Sequence, residues 1–263
     1  IGGEGRGIAT ILEMVMLTRL DCMLGSAGLM RMALAQAAHH ARHRSAFGKR
    51  LIAQPLMRNV LADLALESEA ATTFALRVAG AVDRAATDPR EAACARIATA
   101  IGKYWICKRA PGFANEAQEC LGGAGYVEES LLPRLYRQAP LNSIWEGSGN
   151  IQCLDVLRAL AKEPDTGEAL LAELLAGSGI DADFDAAFAD AQVRFAQGVD
   201  EAGARAFVER LALLLQAAVL LRAGNPLAAA YCRSRLGDGR GATYGTLASD
   251  IDGDAAIARI FPD

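Results

Sequence analysis

Apolar side chains recur at intervals of three and four through most of this chain, the spacing that lines one face of an α-helix. Ile8, Ile11, Leu12, Val15, Met16, Leu20, Met23 and Leu24 open a first amphipathic helix that runs to about His43. Met57, Val60, Leu61, Leu64, Ala71, Phe74 and Val78 share one face of a second, from about Pro55 to Asp83. Asp88-Pro89 supplies a cap and a first-turn proline for a third, which ends near Cys120. Leu154, Val156, Leu157 and Leu160 mark a fourth between Ile151 and Lys162. The connections are polar or glycine-bearing: a basic stretch from Arg42 to Arg50 that turns at Gly48, then Leu121-Gly122-Gly123-Ala124-Gly125-Tyr126. Four long helices joined in this way predict an all-α fold, an up-and-down four-helix bundle over residues 1–163.

Pro164 closes that unit, and residues 164–263 form a predicted C-terminal helical extension. Its periodic stretches are 169–176, 184–195, 202–222 and 226–236. Beyond Gly237 the chain turns rich in Gly and Asp, which predicts a loosely held end. Charge also shifts at this boundary. Residues 165–263 carry 15 acidic side chains against eight Arg and no Lys, about −7, whereas residues 1–164 sum to about +3.

Apolar residues make up 52% of the 263 and aromatics only 6%, so the core is drawn mainly from Ala and Leu, which favours helix. A net charge of −4 gives no general reason to bind nucleic acid or an anionic membrane. No apolar run reaches the length of a membrane span. Six single cysteines without any CxxC pair read as buried reduced thiols in a cytoplasmic protein. His39 and His43 have ligand spacing, but no acidic residue lies between Asp21 and Asp63, so no metal site is expected. The opening Ile1-Gly2-Gly3-Glu4-Gly5-Arg6-Gly7 lacks the context of a phosphate loop and reads as a linker entering a helix at a domain boundary.

The candidate chemistry sits in Asn142-Ser143-Ile144-Trp145-Glu146-Gly147-Ser148-Gly149-Asn150. A single carboxylate stands beside an indole, between glycines that permit unusual backbone angles, with a hydroxyl and an amide close by. The same residues also fit a helix N-terminus capped by Ser148 or Asn150, and the two readings are compatible.

Three motifs occur in order: Arg44-Ser45-Ala46-Phe47-Gly48, Leu121-Gly122-Gly123-Ala124-Gly125-Tyr126 and Trp145-Glu146-Gly147-Ser148. Together they resemble the C-terminal helical domain of the acyl-CoA dehydrogenases over roughly residues 1–163. The segments Glu128–Arg137 and Asn142–Arg158 are similar to the AidB-like, alkylation-response branch, in which extra helices follow the bundle. The resemblance implies an FAD-dependent flavoprotein that removes hydrogens from the α and β carbons of a short or branched acyl-CoA. Glu146 matches the general base. The alternative base position of a related subgroup is Thr18 here, which cannot serve. Arg19 matches a residue near the thioester end of the substrate pocket. Arg44 matches the arginine that reaches the flavin pyrophosphate of a neighbouring subunit and Phe47 the aromatic packing by the same dinucleotide; Gly122 and Gly123 match the loop that closes on the dinucleotide, and Ser148 and Asn150 the hydroxyl and amide that touch it after the base. A homo-oligomer and an electron-transfer partner are implied with them.

The chain also departs from that pattern. Glu119 replaces a usual Gln near the glycine loop, Ala46 replaces a usual Thr, and Gln54 is displaced. The N-terminal helical and middle β domains of the family have no counterpart within these residues, so the chain alone is expected to be inactive and to bind FAD weakly or not at all. Two rival functions remain at this stage. One is a DNA-binding alkylation-response protein using a patch of Arg233, Arg235 and Arg240, which the acidic balance disfavours. The other is an oligomerisation module.

Overall fold

In the computed structural model, residues 3–237 and 241–261 are described. Three long helices dominate: α1 (Gly7–His43), α2 (Pro55–Arg84) and α3 (Pro89–Glu119). Prolines open α2 and α3 at the one turn where a missing N–H costs nothing, and the Asp88 carboxylate accepts from the N–H groups of Arg90 and Glu91 as a cap. Ion pairs fix the antiparallel register of α2 and α3. Arg77, late in α2, pairs with Glu91 at the start of α3 (2.8 Å), while the earlier Glu67 pairs with Arg109 near its end (3.2 Å).

A short hairpin joins α1 to α2. Strand β1 (Ser45–Ala46) pairs with β2 (Lys49–Arg50), and a 3-10 turn at Leu51–Ala53 follows. The tip residues Phe47 (φ 53°) and Gly48 (φ 81°) are both left-handed, as a two-residue hairpin turn requires. After α3 come three short helices, α4 (Gly123–Tyr126), α5 (Leu132–Gln138) and α6 (Leu141–Ile144), then the fourth bundle helix α7 (Gly149–Lys162). The all-α four-helix bundle expected from the periodicity is present, with an added hairpin that the periodicity does not encode.

The extension contributes α8 (Pro164–Leu175), α9 (Ala182–Gln197), α10 (Ala204–Arg222) and α11 (Ala228–Arg235). Pro164 does not merely end the bundle; it is the first residue of α8. The buried side of α10, from Phe207 to Leu221, lies against α2, α3 and α7 and continues one hydrophobic core. Arg235 enters that core between two buried carboxylates, Asp63 and Glu67 (3.2 Å to Glu67). Burial alone would raise the Glu67 pKa, but the charges and hydrogen bonds of Arg109 and Arg235 outweigh it and the net shift is downward.

These contacts bear on the disfavoured alternative of a basic patch built from Arg233, Arg235 and Arg240. Arg235 is consumed inside the fold, Arg233 faces Asp250 at 3.5 Å, and Arg240 lies outside the described residues. The end of the chain, expected to be loosely held, returns onto α2 over residues 241–261. There the Gly245 N–H donates to Asp63 (2.9 Å), Asn59 brackets Leu247 through its N–H and carbonyl, and α12 (Gly253–Ala258) packs beside α2. All six cysteines are free and buried, and no helix among the described residues is long and apolar enough to cross a membrane.

Candidate active site

The Glu146 segment is a reversal between α6 and α7. Trp145 is extended, Glu146 is left-handed at φ 58°, Gly147 follows at φ 96°, and Ser148 returns to extended backbone to start α7. A left-handed glutamate costs about 1–2 kcal/mol, so surrounding contacts must impose it. They come from three helices and act on the backbone. Lys103 of α3 donates to the carbonyls of Trp145 (2.9 Å) and Gly147 (2.7 Å). Arg19 of α1 donates to the Glu146 carbonyl (3.0 Å), and Gln152 of α7 donates to those of Glu146 (3.1 Å) and Gly147 (3.0 Å). A Cβ on Gly147 would stand 2.7 Å from the Gln152 amide nitrogen, so glycine is required there by space as well as by φ.

The supports are themselves held. Buried Asn142 donates to Ser26 (3.1 Å) and accepts from the Trp145 indole N–H (3.1 Å), which fixes an aromatic ring that is 48% exposed. Arg19 pairs with Asp155 (3.0 Å), which also receives Arg96 and Arg158 (both 2.9 Å). Burial raises the Asp155 pKa, but hydrogen bonds and charge from these arginines more than reverse it, so the carboxyl lies below its ordinary range. Lys103 is 1% exposed, and burial lowers its pKa. The result is a half-buried carboxylate carried on an immobilised turn, beside an indole and at the start of α7. Such a group can receive a proton from a ligand placed against it.

The residues singled out in the sequence fall into two groups. Arg19, Glu146, Ser148 and Asn150 gather around this turn. Ser148 precedes α7 without making a side-chain cap, and Asn150 accepts instead from Arg205 of α10 (2.9 Å). Arg44 and Phe47 lie at the other end of α1, 25 residues beyond Arg19, or roughly 37 Å at the helical rise. Gly122 and Gly123 follow the end of α3, which the antiparallel register places beside the start of α2 and the hairpin. Phe47 is 97% exposed, Gly122 is left-handed at φ 59°, and both glycines face open space. Glu119 is occupied locally, accepting from Asn115 (3.2 Å).

Lys103, Gln152, Asp155 and Arg205 were missed by sequence reasoning. Lys103 left one trace: a lone cation inside the otherwise apolar stretch from Ala98 to Cys107, where a surface position would have polar neighbours at helical spacing.

This fold, with a carboxylate turn between the third and fourth bundle helices, agrees with the helical C-terminal domain of the acyl-CoA dehydrogenases. The family's description "Acyl-CoA dehydrogenase, C-terminal domain" matches residues 5–161, and the chain belongs to that family. It is 46% identical to AidB of Escherichia coli (strain K12) over 258 residues, covering 98% of this chain and 47% of that protein. The chain thus spans about half the length of AidB and 27% of acyl-CoA dehydrogenase family member 11 of Caenorhabditis elegans. Two solved structures share the fold. Caenorhabditis elegans ACDH-11 in complex with C11-CoA superposes with a TM-score of 0.73 at 24% identity, over 100% of this chain and 45% of that one. An acyl-CoA dehydrogenase from Bacillus anthracis complexed with FAD gives 0.67 at 19% identity, over 88% and 48%.

Proposed function

We propose that this chain is the C-terminal part of an FAD-dependent acyl-CoA dehydrogenase-like flavoprotein that removes the α-proton of a short or branched acyl-CoA with Glu146. The observation that carries the proposal is the Glu146 turn. Its motif resembles the one that carries the family's base, and three side chains from three helices bind the carbonyls of Trp145, Glu146 and Gly147. A base carried on a fixed backbone turn favours abstraction of a weakly acidic carbon-bound proton, because its side chain starts from one defined position. Arg19, paired with Asp155 of α7 and bonded to the Glu146 carbonyl, anchors the turn to the first helix. When bound, FAD supplies the hydride acceptor.

The residues fit such a cofactor as two half-sites. Ser148 and Asn150 lie next to the base, while Arg44, Phe47, Gly122 and Gly123 are each exposed towards the far end of the bundle. One copy of the chain cannot bring the two halves together across roughly 37 Å of helix, so the far residues serve a second copy and the working form is a homo-oligomer. We infer that these residues by themselves neither turn over acyl-CoA nor retain FAD tightly, since they span 47% of the AidB length. Tight stoichiometric flavin on the purified chain would overturn that last statement.

Glu146→Gln in the full-length flavoprotein tests the base directly. We expect flavin content to be unchanged and acyl-CoA turnover to fall by about 10²-fold or more. Undiminished turnover would remove Glu146 from the mechanism.

A further inference from the structure

Lys103 is the least expected residue near the site. It is an ammonium 1% exposed in the middle of α3, and it makes no ion pair with any carboxylate among the described residues. Burying a cation in this way is costly unless its donors are satisfied. Its two hydrogen bonds are short, and their acceptors are specific: the carbonyls of Trp145 at 2.9 Å and Gly147 at 2.7 Å, one residue on each side of Glu146. A single rigid side chain therefore pins both ends of the one non-glycine residue that is left-handed in this turn. Arg19 and Gln152 hold the Glu146 carbonyl between those two points, but Lys103 alone reaches the Trp145 carbonyl. Hydrogen bonds from a charged donor are among the stronger ones in proteins, and here they act where the backbone is strained.

Were Lys103 only filling the core, a methionine of similar length would do so without a desolvated charge. We propose that Lys103 is a positioning residue for the reaction, clamping the carbonyls on either side of Glu146 so that the carboxylate is presented in its reactive orientation. The inference rests on the reading of Glu146 as the base. It predicts a loss in the chemical step rather than in ligand binding, because Lys103 contacts backbone and is shielded from ligand.

The test uses the full-length flavoprotein with Lys103→Met, Lys103→Gln and Lys103→Arg, and isovaleryl-CoA and butyryl-CoA as probes. Anaerobic stopped-flow would give the limiting rate of flavin reduction and the acyl-CoA dissociation constant separately, and amide exchange would follow residues 143–148. We expect Lys103→Met to lower the limiting rate about tenfold or more, with flavin content and dissociation constant within about twofold of wild type and with faster exchange in the turn. Lys103→Arg, which keeps charged donors, should recover much of the rate. Should the methionine variant not fold, the glutamine variant, neutral but still a donor, carries the same comparison. A wild-type limiting rate with unaltered exchange, or a rate loss that only follows loss of flavin, would overturn the proposal. Glu146→Gln is run alongside: if it keeps the wild-type rate, the base assignment fails, and the exchange measurement alone then decides whether Lys103 holds the turn.

Discussion

Two non-glycine residues among those described adopt left-handed backbone, Phe47 at φ 53° and Glu146 at φ 58°, and their surroundings could hardly differ more. Around Glu146 the strain is met by Lys103, Arg19 and Gln152, and behind Arg19 stands Asp155 with Arg96 and Arg158. Around Phe47 there is a four-residue hairpin ladder and one bond from Gln54 to the Ala46 carbonyl (3.1 Å), with the ring 97% in solvent. A strained glutamate locked from three sides is complete within one chain. A strained, fully exposed aromatic is not, since nothing in its own chain benefits from holding it there. Under the proposed function the two ends would divide the work: one would carry the proton-transfer group, and the other would offer its surface to a second copy.

Disturbing the locked end should cost most. Asp155→Ala leaves Arg19, Arg96 and Arg158 without their shared carboxylate and should lower stability by about 2–4 kcal/mol, read as a shift in denaturant midpoint. Gly147→Ala combines an unfavourable φ with a Cβ placed 2.7 Å from Gln152; we expect a loss of about 1–3 kcal/mol and faster amide exchange in the turn. Acid should act on the same side of the comparison. Asp155 and Glu67 have folded pKa values below their ordinary ones, so their stabilisation is complete above about pH 5 and is lost as pH falls through the folded values. Thermal melts between pH 3 and 6 would show it, and Asp155→Asn should flatten the slope. At the open end, Phe47→Asn should leave the stability of the chain within about 0.5 kcal/mol or raise it, because asparagine tolerates left-handed backbone. In the full-length protein the same change should weaken flavin retention, which absorbance of the gel-filtered protein would report.

The difference between the ends also explains what could be read from the sequence. The long helices were legible because their signals are local: apolar faces at helical spacing, Asp88 capping, and prolines at Pro55 and Pro89 in first turns. Glu146 was legible as candidate chemistry because a lone acid between glycines and an indole is unusual in a helical chain. The clamp was not legible, because Lys103 meets carbonyls more than 40 residues away and neither partner advertises the other. Arg205 is a similar case, a helix-surface arginine by its spacing that the fold brings onto Asn150. Arg235 misled in the opposite direction: three arginines in a short stretch suggest a surface patch, yet the carboxylates Asp63 and Glu67 that draw one of them inward belong to a helix far earlier in the chain.

The central claim, that the Glu146 turn of one copy and the Arg44–Phe47 end of another build one working site, is tested most directly by complementation. Glu146→Gln and Arg44→Ala forms of the full-length protein would be prepared separately and co-expressed, with turnover of isovaleryl-CoA as the readout. Each variant alone should be nearly inactive, while mixed oligomers contain intact sites and should recover about a quarter of wild-type activity for random two-fold pairing. No recovery from verified mixed oligomers, or full activity in Arg44→Ala alone, would contradict it.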